Sequence, residues 1–161
     1  MGSAQCVVNC DVFPYIPSGL SLEGEGTEHR KMGQIILKKC ADGRLYANGE
    51  EVIRCLPERR DLMSGHERRA ELKDKRVLNA CIADALILHP ELIPDDWVGD
   101  VYFWGDVFSS QKSLVGKGGG LFVLRLHRWH GDGLWRRDYC WLDCGHHMDS
   151  LAALLKDLPV A

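Results

Sequence analysis

Four side chains that can bind a metal ion fall within the stretch CWLDCGHH near the end of the chain: Cys140, Cys144, His146 and His147. Thiolate and imidazole groups are the usual ligands of Zn²⁺ in proteins. Structural zinc sites often use two cysteines a few residues apart with a second pair of ligands from elsewhere, and Cys140 and Cys144 fit the first half of that pattern. Cys6 and Cys10 repeat the same spacing. The sequence therefore predicts a zinc site as one use of this cluster.

The same cluster contains the groups of a thiol enzyme. Cys144 is followed closely by the two histidines, and Asp143 or Asp149 would orient an imidazole that acts as a base. Catalytic cysteines and histidines usually meet from distant parts of a chain, so neighbours in sequence are rarely partners. The simpler interpretation is that Cys140 faces inward on a strand, because free cysteine is among the most buried residue types. The metal, thiol and structural interpretations all stay open at this point.

Aromatic and arginine side chains are concentrated in the last third of the chain, and five of them form a candidate binding set: Trp129, Trp135, Arg125, Arg136 and Arg137. Side chains alternate between the two faces of a strand, so both faces of a sheet built here are expected to carry rings. One face would be core, and the other would contact a partner protein or stack on nucleic-acid bases. The alternative is that the rings pair across strands and only stabilise the sheet. The net charge of −3 favours a protein partner over nucleic acid.

Alternation of apolar and polar residues predicts two antiparallel groups of strands. The first is a set of N-terminal hairpins, with Asn48-Gly49 as a tight turn, over residues 34–39, 44–46 and 51–54. The second is a C-terminal three-stranded meander over residues 101–108, 121–126 and 135–142.

Two helices are predicted between these groups of strands. Ser64 and Glu67 have the spacing of a capping box at the start of the first helix, and Asn79 caps a second helix over residues 80–89. A short third helix is predicted over residues 151–156. Together these elements predict an α+β fold, in which a mostly antiparallel sheet has the two central helices packed on one of its faces.

The composition predicts one globular domain. Of 161 residues, 45% are hydrophobic and 27% are charged, which is enough apolar material for a sizeable core. We expect a domain over residues 33–161 and an irregular segment over residues 1–32, in which only Cys6-Val7-Val8 has the character of an edge strand. Seven cysteines form no regular disulfide framework, and no apolar run is long enough to span a bilayer. We therefore expect a cytoplasmic protein without membrane association.

Several short motifs follow one another in a distinctive order between about residues 7 and 154. They are Val8-Asn9-Cys10-Asp11, Glu28-His29-Arg30-Lys31, Gly65-His66-Glu67, Val77-Leu78-Asn79-Ala80, His89-Pro90-Glu91-Leu92-Ile93-Pro94, Phe103-Trp104-Gly105 and Trp141-Leu142-Asp143. In this order they resemble a family of small bacterial proteins, common in uncultured lineages, that has no established activity. The resemblance therefore implies no catalytic, cofactor or binding residue. It includes Trp141-Leu142-Asp143 but not the flanking Cys140 and Cys144, which weakens the metal and thiol interpretations.

The combined prediction is a cytosolic binding protein, without a cofactor, that contacts a protein partner through its C-terminal meander. The alternative is a zinc-binding or thiol-dependent enzyme that uses the cysteine and histidine cluster of residues 140–147.

Overall fold

The structure is a computed structural model that describes residues 4–58, 63–110, 120–129, 131–143 and 150–156. Its strands are β1 (Ala4–Asn9), β2 (Leu20–Ser21), β3 (Glu28–His29), β4 (Gln34–Lys39), β5 (Leu45–Ala47), β6 (Glu50–Cys55), β7 (Val101–Ser110), β8 (Leu121–Arg128), β9 (Trp135–Trp141) and β10 (Ala152–Leu155). Its helices are α1 (Gly65–Glu71) and α2 (Ala80–Leu88), and a 3-10 turn over Pro90–Leu92 follows α2. None of the described helices is long and apolar enough to cross a membrane.

The described strands form one mixed sheet in the order β1-β4-β5-β6-β10-β7-β8-β9, with β2 and β3 also paired to β7. The hairpins β4–β5–β6 and the meander β7–β8–β9 are antiparallel, which confirms both predicted groups. The β5–β6 turn has positive φ angles at Asn48 and Gly49, as an Asn-Gly hairpin requires. The one parallel pairing among these strands joins β10 to β7. The fold is therefore α+β with a mostly antiparallel sheet.

Residues 4–32, predicted as irregular apart from one edge strand, supply β1, β2 and β3. β1 pairs with β4 along its whole length and lies at one end of the sheet order, in agreement with the edge strand predicted at Cys6-Val7-Val8. β2 and β3 are two residues long each, too short for any periodicity to indicate them. The division into a segment 1–32 and a domain 33–161 stays a prediction.

Both faces of β7 are buried along residues 101–108, and each face belongs to a different core cluster. Phe103 packs in a cluster with the buried residues of α2. Tyr102 and Trp104 point the other way and pack in a second cluster, which contains Leu72 at the C-terminal end of α1. The prediction that both helices pack on one face is therefore wrong. Large rings alternate between the two faces of β7, so both faces must be buried by other elements. α2 helps to bury one face, and the end of α1 helps to bury the other.

The segment predicted as a C-terminal helix is the strand β10. Residues 152–155 are all buried and pair antiparallel with β6 on one side. On the other side Ala152 pairs parallel with Tyr102 of β7, and the residues after it bond to the segment 76–78. A short apolar run is compatible with either a buried helix or a buried strand, and periodicity alone does not separate the two. Tertiary pairing decides the conformation here, so the helix prediction is corrected to a central strand.

Both predicted helix starts are confirmed. The Ser64 hydroxyl accepts a hydrogen bond from the amide of Glu67, whose carboxylate accepts one from the amide of Ser64, completing the capping box. The Asn79 side chain accepts a hydrogen bond from the amide of Cys81 at the start of α2. α2 ends at Leu88, one residue before the predicted end.

Candidate interaction surface

The ladder between β8 and β9 divides the five predicted binding residues between two faces. One face carries Arg125, Arg136 and Trp129, and the opposite face carries Trp135 and Arg137. This division follows from the alternation of side chains along a strand. The predicted set is therefore not one contiguous surface.

Trp135 and Arg137 face α2 and have structural contacts. Trp135 is half-buried and packs against the core cluster that contains α2. The guanidinium of Arg137 donates to Asp84 of α2 at 3.0 Å and lies 4.8 Å from the centre of the Tyr15 ring. These contacts tie β9 to α2 and to the segment that follows β1, so the two residues belong to the scaffold.

Arg125, on the other face, is held between two carboxylates. Its Nε donates to Asp138 at 2.7 Å, and its Nη1 donates to Asp100 at 2.7 Å. The second oxygen of Asp100 bonds to Nδ1 of His127. Asp100, His127 and Asp138 were not singled out from the sequence, because nothing in a single chain indicates which carboxylates will lie beside a given arginine. The charge of Arg125 is balanced within the fold.

The end of the β8–β9 hairpin exposes two large apolar side chains beside an ion pair. Trp129 is 52% exposed and Leu134 is 59% exposed, and their backbones are joined by a hydrogen bond of 2.9 Å. The guanidinium of Arg136 lies 5.7 Å from the centre of the Trp129 ring and donates to Asp132 at 2.5 Å. We call Trp129, Asp132, Leu134 and Arg136 the hairpin surface. Leu134 was not singled out from the sequence, although it lies beside a predicted turn and opposite Trp129 across the hairpin.

The predicted zinc ligands are mostly outside the described residues: Cys144, His146 and His147 fall in the undescribed range, and Cys140 lies on β9. Burial raises the pKa of the Cys140 thiol, whose sulfur lies 3.7 Å from the hydroxyl of Tyr102. A raised pKa keeps the thiol protonated near neutral pH, which is unfavourable for a nucleophile. In the part of the chain that is described, no three His, Cys, Asp or Glu residues are placed to hold a metal ion. The zinc and thiol interpretations of this cluster stay predictions.

A buried polar cluster that the sequence analysis did not find lies at the start of α2. The carboxylate of Asp106 is fully buried, with one oxygen 2.5 Å from Nδ1 of His29 and the other accepting the amide N–H of Ala80 at 2.6 Å. Burial raises the pKa of the Asp106 carboxyl, and the bonds from Ala80 and His29 act against that rise. Nε2 of His29 is also buried and has no hydrogen-bond partner among the described residues. We call His29, Asn79, Ala80, Gly105 and Asp106 the α2-start cluster.

Asn79 connects this cluster to β1. Its side-chain amide donates to the carbonyl of Cys10 at 3.0 Å and to the carbonyl of Arg30 at 2.8 Å, while its oxygen caps α2. One fully buried side chain thus joins the residue after β1, the residue after β3 and the helix. The cluster fixes where β1 lies relative to α2.

The sequence contains one indication of this cluster, which is a single aspartate within an otherwise apolar strand. Asp106 interrupts the apolar run of β7, in the stretch between Phe103 and Phe108 where the pairing of β7 with β8 shifts register. Such irregularities redirect side chains away from the regular ladder. The partner, His29, is 77 positions away in the chain, so no local pattern identifies it.

Two thiols beside this cluster are strongly disfavoured as thiolates. Burial raises the pKa of Cys10 to about 12, with a further contribution from Asp11. Burial also raises the pKa of Cys81 to about 12, with Cys10 as the next cause. Neither residue is therefore a nucleophile near neutral pH.

Because of these two thiols, we expect the folded protein to lose stability in alkaline solution. Since their folded pKa values lie above the ordinary value of 9.0, the stability that they confer is complete below pH 9 and is lost as pH rises toward 12. At a pH of about 10.5 each thiol should lower the free energy of unfolding by about 2 kcal/mol relative to neutral pH. Urea unfolding followed by tryptophan fluorescence at several pH values measures this loss.

The variant Cys81→Ala is the matched control, because alanine fills part of the same buried space and does not titrate. Its stability should fall less steeply with pH than that of the unsubstituted protein, whatever its stability at neutral pH. Equal slopes for the two proteins between pH 9 and about 10.5 would contradict the assignment of Cys81 as a buried, protonated thiol.

Comparison with known proteins gives this chain no relative. No protein-family model, no curated protein and no solved structure matches it.

Proposed function

We propose that this protein is a binding protein that contacts another protein through the hairpin surface. The observation that carries the proposal is the pair Trp129 and Leu134, both more than half exposed and joined by a backbone hydrogen bond at the end of the β8–β9 hairpin. Tryptophan is the residue type most enriched where protein interfaces gain their binding energy. An exposed aromatic and aliphatic pair with a charged rim has the composition of the centre of such an interface.

The hairpin holds these two side chains in place before any partner binds. Besides the bond between Trp129 and Leu134, the amide of Gly133 donates to the carbonyl of Trp129 at 2.8 Å. The amide of Leu134 donates to the Asp132 carboxylate at 2.9 Å, and Nε of Arg128 donates to the carbonyl of Gly133 at 3.0 Å. A surface that is already ordered loses little conformational entropy on binding, which favours affinity.

The charges of the meander favour a protein partner over nucleic acid. Arg125, Arg136 and Arg137 each contact at least one carboxylate, so each of these arginines is matched by negative charge on the same surface. Nucleic-acid binding surfaces instead present a basic excess toward the phosphates. The matched pairs support a partner whose contact area is apolar at its centre and mixed in charge at its rim.

A cytoplasmic location is part of this proposal. The six described cysteines are all free thiols, which supports a protein made for a reducing compartment.

Trp129→Ala should weaken binding of the partner by a factor of about 30 or more, because it removes the largest exposed side chain of the hairpin surface. The partner is found by capture from lysate on the immobilised protein, with quantitative mass spectrometry, and is then purified. The dissociation constants of both proteins for the purified partner are measured by calorimetry. Thermal unfolding should shift little, since Trp129 is half exposed.

Val98→Ala is the matched control, because Val98 is 67% exposed and lies in the loop before β7, outside the hairpin surface. It should bind the partner as the unsubstituted protein does. A partner that binds Trp129→Ala and Val98→Ala equally well would place the interface elsewhere. Binding to nucleic acid that weakens steeply with salt would contradict the class of partner.

A further inference from the structure

A cavity of about 290 Å³ lies between β1 and α2, on the side of β1 that no described strand covers. Four of the eleven residues of the described chain that have large, exposed apolar side chains line this groove: Val7, Val12, Phe13 and Leu88. Apolar side chains that gather around one concave surface mark a binding groove more often than scattered ones do. We call this cavity the β1–α2 groove.

The open edge of β1 presents unused backbone hydrogen-bonding groups to the groove. The amide of Cys10 donates to the carbonyl of Gly33, so by alternation Val8 and the other even-numbered residues of β1 bond toward β4. The N–H and C=O groups of Gln5, Val7 and Asn9 then point away from the sheet. Such an edge is a template for one more strand.

α2 forms the opposite wall of the groove, at a distance fixed by the α2-start cluster. Ala85 and Leu88 of the helix face the groove, and Leu88 is 74% exposed. An open strand edge beside a helix is the arrangement in which extended peptides add to a sheet, with backbone bonds on the strand side and side-chain contacts on the helix side. The geometry therefore suits an extended peptide better than a compact ligand.

The charge around the groove is negative. No lysine or arginine of the described chain lines it, and Asp84, which does, is paired with Arg137. Asp11 is exposed at the Asn9 end. Glu91 lies at the other end, where its carboxylate is 3.5 Å from Nδ1 of the groove residue His89. A peptide with basic side chains next to apolar ones is complementary to this distribution.

We propose that the β1–α2 groove binds an extended segment of another protein, with alternating apolar and basic residues, as an added strand on β1. The backbone of that segment bonds to Gln5, Val7 and Asn9. Its apolar side chains contact Phe13 and Leu88. This site is separate from the hairpin surface and stands without the function proposed there.

The test uses a synthetic peptide of about six residues that alternates lysine and valine, which matches the length of β1, with fluorescence anisotropy as the readout. Val7→Pro removes the central outward N–H, and proline is tolerated on an edge strand. It should weaken binding about tenfold or more, whereas Val98→Ala, at an exposed position outside the groove, should leave the affinity within about twofold. Leu88→Asp, at an exposed helix position, is the second variant and should also weaken binding about tenfold. A matched peptide of alternating glutamate and valine should bind at least about tenfold more weakly than the lysine peptide.

Four results would overturn the proposal. One is the lack of saturable binding of the lysine peptide at concentrations up to about 1 mM. Another is equal affinity of the unsubstituted protein and both weakening variants. A third is equal affinity for the two peptides. The last is a dimer in sedimentation equilibrium that Val7→Pro dissociates, because the groove would then bind a second copy of this chain.

Discussion

Replacement of Asp106 by alanine should lower the free energy of unfolding by about 3–5 kcal/mol, a large part of the stability of a domain of this size. The carboxylate is fully buried and bonds to both His29 and the first amide of α2. Without it, Nδ1 of His29 and the N–H of Ala80 are left buried without partners, and each such group costs about 1–3 kcal/mol. Urea unfolding at neutral pH, followed by circular dichroism, measures the loss.

Asp95→Ala is the matched control for this result. The Asp95 side chain is 94% exposed and pairs with Lys39 at 3.0 Å, so its loss should change stability by about 0.5 kcal/mol or less. Asp106→Asn should fall between the two variants, because the amide keeps one acceptor oxygen for Ala80. If Asp106→Ala lost no more stability than Asp95→Ala, the α2-start cluster would not organise the fold.

The variant Gly105→Ala should cost about 3 kcal/mol or more, because β7 passes too close to the start of α2 for any side chain. An added methyl group would lie 2.6 Å from Cα of Asn79 and 2.7 Å from its backbone nitrogen. The backbone there has little room to move, since the amide of Gly105 donates to the carbonyl of Leu78 at 2.9 Å and Asn79 is itself held by two carbonyls. Thermal and urea unfolding both report the change.

The variant Gly120→Ala makes the same substitution beside a partly exposed side chain, and its loss of stability is compared with that of Gly105→Ala. Its methyl group would lie even closer to a side-chain atom, 2.3 Å from Nε1 of Trp141, but that side chain is 45% exposed and has more room to shift than the buried backbone of Asn79. The expected cost is about 1 kcal/mol or less. If the two variants lost similar amounts of unfolding free energy, the close approach of β7 to α2 would restrict residue 105 no more than a surface contact restricts residue 120.

Much of the fold was predictable because local patterns and tertiary structure agree. The bounds of β4 match the predicted strand, the Asn48-Gly49 turn has the expected conformation, and both helix caps form as the residue types indicate. β10 was mispredicted because its four apolar residues take their conformation from pairing with β6, with β7 and with the segment 76–78, and not from their own sequence. The positions of α1 and α2 on opposite faces of β7 depend on the order of the strands, which no local pattern contains.

The candidate surface was predictable only in part. The sequence located the aromatic and arginine side chains on β8 and β9, and alternation then placed Trp135 and Arg137 toward the core and Trp129 toward solvent. The carboxylate partners of the arginines come from outside the local pattern, for example Asp84 on α2. Those partners balance the charge of the arginines, which agrees with the preference for a protein partner that the net charge already indicated.

The most direct measurement of whether the hairpin surface contacts a protein is site-specific photocrosslinking. Leu134→p-benzoylphenylalanine places the crosslinker on the hairpin surface, and Val98→p-benzoylphenylalanine places it on an equally exposed loop outside that surface. After irradiation in living cells, we expect one crosslinked protein at position 134 that is missing at position 98, and that is lost when Trp129→Ala is added. The same crosslinks at both positions, or a product at position 134 that contains nucleic acid, would contradict the proposed function.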